Sequence, residues 1–351
     1  MAARPYTAVL IIPTGIGAAV GGYAGDALPV ARTLAQVADR LVTHPNVMNG
    51  AQLYWPLPNA FYVEGYGLDQ FAAGRWGLRP VHQNRIGLVL DQAIEDELRW
   101  RHLQAADAAR ATLGLDLLDY AVTDTPLGVT LKTAASGATW GTIANPDSLL
   151  RAVERLMGAG ADAIAVVARF PDDPGSDALQ NYRQGQGVDP LAGAEAVISH
   201  LVVRTFQIPC AHAPALTPLP LDPTLSPKSA AEEIGYTFLP CVLAGLSRAP
   251  QFVTRAPAQP TDLWADQVDA VIVPATACGG SGVISLSRTK TWVIAVEENT
   301  TTLQVTPEQL GIHAIRVSSY LEAAGVMAAH KAGVGLAGVR SHIERLKPLG
   351  K

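Results

Sequence analysis

Cys278 closes an apolar run in "VIVPATACGGSGV" and is followed by Gly279, Gly280 and Ser281. The thiolate is the reactive form of cysteine, and nearby backbone N–H groups stabilise it. A glycine turn can present such groups and can also form an oxyanion hole. Thr276 precedes the cysteine and adds a hydroxyl. His44, in "THPNVMNG", titrates near neutrality and suits a proton-transfer role. Asn46 and Asn49 lie beside it as substrate donors. Glu297 and Glu298 follow the apolar run "TWVIAV", with Asn299 and Thr300 after them. Adjacent strand residues face opposite ways, so one of the two glutamates would face a given site as general acid or base. Lys132, in "GVTLKTAASGATWGT", would clamp a carboxylate or act as a base of lowered pKa; otherwise it is an edge lysine in solvent.

A glycine-rich stretch, "PTGIGAAVGGYAGD", offers Thr14, Gly15, Gly17, Gly22 and Asp26. Small residues let the main chain approach an anion, so the loop is either a phosphate or carboxylate cradle or a tight packing turn. The spacing Gly15-x-Gly17-x-x-x-Gly21 departs from the usual dinucleotide fingerprint, and the next strand ends in Thr43-His44 with no acid for a ribose. No cofactor is expected. His212 stands two residues after Cys210, far short of a metal site, so no metal is expected either.

These residues share a position: each follows an apolar run. "YTAVLIIPTG", "RLVTHPN", "RIGLVLD", "LDYAVTDTPLGV", "ADAIAVVARF", "VDAVIVPATACGG", "TWVIAVEENTT" and "HAIRVSS" read as strands. Helical patterns alternate with them, among them 26–40, with Asp26 as N-cap and Pro29 in the first turn, and 94–114, closed by Gly114. Glu232 and Glu233 are read as opening a helix, where negative charge suits the dipole. The alternation predicts an α/β fold: doubly wound, mostly parallel sheets with helices on both faces, in one body or two lobes around a cleft. Ligands of such sheets bind beyond the carboxyl ends of the strands. An N-terminal α/β lobe over 1–170, a loop-rich and helical insertion over 171–260 and a C-terminal α/β segment over 261–351 are expected. The insertion carries six prolines from Pro209 to Pro227 and is read as irregular, of lid or binding-loop type.

The chain has 351 residues, 48% hydrophobic and 16% charged, with a formal net charge of −5. That balance fits a globular protein with a large core and argues against nucleic acid or an anionic membrane as the partner. No apolar run reaches the length of a membrane span. Three widely spaced cysteines build no disulfide framework, so a cytoplasmic location is expected. The Ala/Gly-rich helix over 321–336 would suit packing in a homo-oligomer or within one chain.

Over nearly the whole chain, "PTGIGAAVGGYAGDALPVARTLA", "THPNVMNG", "FYVEGYGLD", "ARATLGLD", "VIVPATACGGSGV" and "IAVEENTT" resemble a bacterial family known as a domain of unknown function. That resemblance implies no chemistry. More locally, "DAVIVPATACGG" followed by "TWVIAVEEN" is similar to the C-terminal cysteine strand of the aspartate/glutamate racemase superfamily. There a strand-end cysteine acts as acid, base or nucleophile beside a bound carboxylate. The likeness maps Cys278 and its turn, and the matching strand end in the other half carries His44 rather than a second cysteine.

The leading expectation is a cofactor-independent isomerase, decarboxylase or hydrolase. It would act through Cys278 on a small anionic, carboxylate- or amide-bearing metabolite. The alternatives are a protein of phosphorylated metabolites or nucleotides using its glycine loops, and a non-catalytic sensor or assembly protein.

Overall fold

The computed structural model describes residues 4–49, 56–173, 175–234, 237–343 and 345–346. Its centre is a parallel sheet of six strands. In spatial order they are Ala314–Val317, Trp292–Val296, Ala270–Pro274, Thr7–Leu10, Arg40–Thr43 and Ala60–Tyr62. A second parallel sheet has four strands, ordered Cys210–Ala215, Ala163–Arg169, Ile86–Leu90 and Leu117–Val122. Every pairing in both is parallel. The central strands are buried along their length, save Arg169 at the end of one, as expected where helices cover both faces of a parallel sheet.

In each sheet the strand order reverses beside a central strand. Thr7–Leu10 pairs with Ala270–Pro274 on one side and Arg40–Thr43 on the other. Ile86–Leu90 pairs likewise with Ala163–Arg169 and Leu117–Val122. The boundaries read from sequence at 170 and 260 do not coincide with this division. The chain leaves the six-stranded sheet after Tyr62, builds the other from Ile86 to Ala215, and returns at Ala270. The final segment thus completes the sheet that the first strands began.

The proline-rich segment departs from the expected loop at its start. Cys210–Ala215 is a strand with Pro214 inside it, opposite Ala168. It lies at the sheet edge, where a proline lacking N–H costs no ladder bond on its open side. The later prolines precede the helix Pro227–Ile234. Glu232 and Glu233 therefore stand in the last turn of that helix, not the first, and the dipole argument made for them fails. Asp26 is not a cap: the first helix starts at Leu28 behind Ala27. The Gly114 stop is present, in the left-handed conformation. The short helix Ser281–Leu286 was not anticipated.

Lys132 lies on an antiparallel hairpin, Val129–Thr133 with Thr139–Ile143, which packs on the helix Ala192–Phe206. The approach is backbone to backbone. A Cβ on Gly193 would sit 2.1 Å from the Thr139 carbonyl oxygen, and one on Gly141 would sit 2.4 Å from Ala194 Cβ. A carbonyl cannot swing aside as a side chain can. Gly193→Ala should therefore lower stability by about 2 kcal/mol or more, in the range of overpacked sites. An unchanged urea midpoint would show that the hairpin yields instead.

Candidate acid–base site

A cavity of about 480 Å³ collects strand ends from both sheets. From the six-stranded sheet come Thr14 and Gly22 after the first strand, His44, Asn46 and Asn49 after the second, Glu64 after the edge strand, and Gly280 and Ser281 after Ala270–Pro274. The strand Cys210–Ala215 gives His212, and the helix Ala192–Phe206 gives Glu195, Ser199 and His200. Glu195 and Ser199, four apart, share a helix face, and His200 lies next to Ser199.

Glu64 is 4% exposed. It caps the helix Gly65–Ala72, with Oε2 accepting the Tyr66 and Gly67 N–H groups at 2.8 and 3.2 Å. Its other oxygen, Oε1, meets His200 Nδ1 in an ion pair that lacks hydrogen-bond alignment. Burial lowers the His200 pKa, but Glu64 and then Asp69 outweigh it, and the net shift is upward. His44 lies close by: the Cβ position on Gly65 is 3.0 Å from His200 Cε1 and 3.9 Å from His44 Nδ1. Burial, then the His200 charge, brings the His44 pKa down to about 4. Its Nε2 has no hydrogen-bond partner among the described residues. Two neighbouring imidazoles are thus driven apart, His200 toward the cation and His44 toward the neutral base. His212, lowered to about 3 by burial and then by His200, holds Ser199 Oγ at 3.1 Å and faces Glu195 at 3.8 Å.

In the same cavity Asp189, Glu195 and Glu232 form a carboxyl cluster, and burial raises all three. Glu232 accepts the Ala24 N–H at 2.7 Å and a short bond from the Tyr182 hydroxyl. Tyr182 stacks on Tyr23 with ring centres 4.6 Å apart. Arg183 is committed to Glu233, at 2.7 and 3.0 Å, and to the Pro220 carbonyl.

The sequence-predicted residues divide. Thr14, Gly22, His44, Asn46, Asn49, Gly280 and Ser281 line the cavity. Asn46 also donates to the Ile12 carbonyl at 3.0 Å, and Asn49 accepts from the Tyr62 hydroxyl at 2.8 Å. Cys278 is not on the wall. It is fully buried, its Sγ lies 3.7 Å from the Pro274 and Ala275 carbonyl oxygens, and burial raises its pKa to about 11. The turn that was read as activating it leaves its thiol in the core. Thr276 bonds Thr301, and Gly279 abuts Val305. Glu297 pairs with Arg316 in solvent, and Glu298 accepts the Tyr320 N–H at the start of the last long helix. Lys132 is exposed over Trp140.

The glycine loop serves its own chain. Gly15 and Gly17 turn with positive φ. The Gly21 N–H goes to Asp26, which also holds Lys228, while Asn299 clasps Val20 and the Thr300 carbonyl accepts the Ala19 N–H. The anions that this loop cradles are side chains of the protein, Asp26 and Glu232.

Glu64, Asp189, Glu195, His200 and Tyr182 were missed, and Glu232 was misassigned. Glu195 and Ser199 carried a signal: polar residues four apart in a largely apolar helix, with His200 next to them. Asp189 and Tyr182 stood in a segment read as loop and carried none. Among the described residues no group of three or more His, Cys, Asp or Glu side chains is arranged to hold a metal ion.

Comparison with known proteins places this geometry in a family context. The model of a family described as a protein of unknown function, DUF3326, matches residues 7–340. An uncharacterized lipoprotein of Synechococcus sp. is 62% identical over 349 residues, covering 99% of this chain and 97% of that protein. No solved structure matches the chain. The whole-chain resemblance seen in the sequence therefore holds, while the local likeness to the racemase superfamily finds no support among these matches. The expected cytoplasmic location is corrected: so close a relative bears the name of a lipoprotein. The three cysteines are free and buried, which describes their packing rather than a compartment. Among the described residues no helix is long and apolar enough to cross a membrane.

Two outcomes follow from burial. Cys278 in the native protein should react with iodoacetamide far more slowly than in urea, and labelling at equal rates would place it on an accessible wall. The raised carboxyls bind protons more tightly folded than unfolded. For Glu232 this stabilisation is complete below the unfolded value of 4.5 and is lost as pH rises through the folded value of about 8. Glu232→Gln should flatten the fall in Tm between pH 4.5 and about 8, and an unchanged slope would remove Glu232 from the cluster.

Proposed function

The chain belongs to the DUF3326 family, and we propose that its cavity carries out acid–base chemistry on a small metabolite, with His200 as acid and His44 as base. One observation carries this reading: the two imidazoles flank Gly65 on the wall of a single cavity, and their surroundings push their pKa values in opposite directions. Neighbouring groups split in this way can supply a proton and a base at the same pH. Glu64 holds the His200 cation, and its own position is set by the helix that it caps. Such a pair suits isomerisation or elimination, in which a proton leaves carbon and another is delivered nearby. This reading moves the chemistry from Cys278 to the histidines.

A second reading is a solute-binding protein without turnover. The lipoprotein name of the Synechococcus relative favours it, as does the separation of Cys278 and Glu297 from the cavity. Incubating small metabolites with the protein in D2O separates the two. Proton transfer at carbon would wash deuterium into one compound, and His200→Asn or His44→Asn should slow that exchange about a hundredfold or more. A ligand that binds tightly but takes up no deuterium and is not converted would favour the binding protein.

A further inference from the structure

We infer that the cavity takes an uncharged ligand with an apolar body, whose carbonyl oxygen meets His200. The inference names a substrate class for the acid–base site and rests on that reading for the carbonyl end alone. It departs from the anionic metabolite expected from sequence.

Five large apolar side chains of the wall stop short of full burial. Leu179 belongs to the helix Asp177–Arg183, and Leu191 precedes the helix Ala192–Phe206. Leu216 and Leu219 follow the strand Cys210–Ala215, and Phe238 precedes the helix Leu239–Leu246. All five are half-buried, and all five line the cavity. They come from the part of the chain read from sequence as a binding insertion, whereas the strand ends of the six-stranded sheet supply His44, Asn46 and Ser281. Apolar side chains gathered on a concave wall gain by exchanging water for a ligand. At about 480 Å³ the cavity is of small-molecule size.

Charge selects independently against an ionic ligand. The cation-forming side chains of the wall are Arg183, His44, His200 and His212. Arg183 is held by Glu233 and the Pro220 carbonyl, and burial favours the neutral forms of His44 and His212. The positive charge left is that of His200, which Glu64 and Asp69 stabilise. A carboxylate or phosphate would thus enter among six acidic side chains without a cation of its own. An ammonium at the reacting end would face the His200 charge. Farther along the wall, Asp189 accepts the Leu191 N–H, and Glu232 accepts the Ala24 N–H and the Tyr182 hydroxyl. Either ion would give up hydration for poor replacement, and an uncharged ligand has less hydration to lose. Its carbonyl oxygen can still accept a hydrogen bond from the imidazolium of His200, whose side chain is 44% exposed. His44 would then take a proton from the carbon beside the carbonyl. The C–H electron pair becomes the C=C bond of a neutral enol as His200 gives its proton to the oxygen. Return of a proton to carbon, and of the hydroxyl proton to His200, closes the cycle.

Calorimetry on the full chain with benzylacetone and three analogues tests charge and body separately. Hydrocinnamate replaces the methyl ketone by a carboxylate, the corresponding primary amine replaces the carbonyl by an ammonium-bearing carbon, and acetone lacks the benzyl body. Benzylacetone should bind at least about tenfold more tightly than each of the three. Leu219→Ser, with folding confirmed by its melting curve, should weaken benzylacetone about tenfold. No binding of benzylacetone, a preference below about tenfold over any analogue, or an unchanged Leu219→Ser affinity would overturn the inference. The wild-type arms need no variant to fold. The two readings fail separately. Benzylacetone that binds with this preference but takes up no deuterium beside its carbonyl sinks the acid–base reading and leaves the ligand class standing. Histidine-dependent exchange in a charged metabolite, with no preference for benzylacetone, does the reverse.

Discussion

Glu64 gives one carboxylate oxygen to the first turn of the helix Gly65–Ala72 and turns the other to His200. The helix follows the edge strand of the six-stranded sheet, and His200 belongs to the helix Ala192–Phe206, which packs on Cys210–Ala215 of the second sheet. A carboxylate this deeply buried is strongly unfavourable unless it is paired and hydrogen-bonded. Its two oxygens meet those demands from opposite directions. The pair therefore couples one sheet to the other, and the cavity's other polar groups are arranged around it. Glu64 favours the cationic form of His200, and burial together with the His200 charge favours the neutral form of His44.

Carboxylates organise the glycine-loop side of the cavity in the same way. Glu232 draws in the Ala24 N–H and the Tyr182 hydroxyl, which ties the glycine loop to the segment that carries Tyr182. Asp26 closes the same loop through Gly21 and reaches Lys228. A loop whose composition invites a bound phosphate is thus closed by internal acids. Backbone N–H groups favour an anion whatever its source, and a side chain already in place has no binding entropy to lose.

Much of the architecture could be read from the chain. The buried strands are continuous apolar runs, and the long helix Asp96–Leu113 stops at Gly114. The prolines misled where the edge of a sheet suspended the rule against them, at Pro214. For the site, strand-end logic singled out His44, Asn46, Asn49 and Ser281, which line the cavity. It failed at Cys278 because a residue just beyond a strand can turn inward as readily as outward. Nothing local distinguishes a thiol packed under carbonyls from one in a cleft.

The sequence by itself determined the parallel α/β class and the placement of small and polar residues after the strands. Local periodicity and the backbone needs of turns are enough for that. Tertiary structure decided which of those strand ends meet. Glu64, the helix carrying Glu195 and His200, and Glu232 lie far apart along the chain, and the shifts at Glu195, His200 and Glu232 depend on burial and on neighbouring charges. Neither desolvation nor the distance between two charges exists until both sheets have folded against a common cavity.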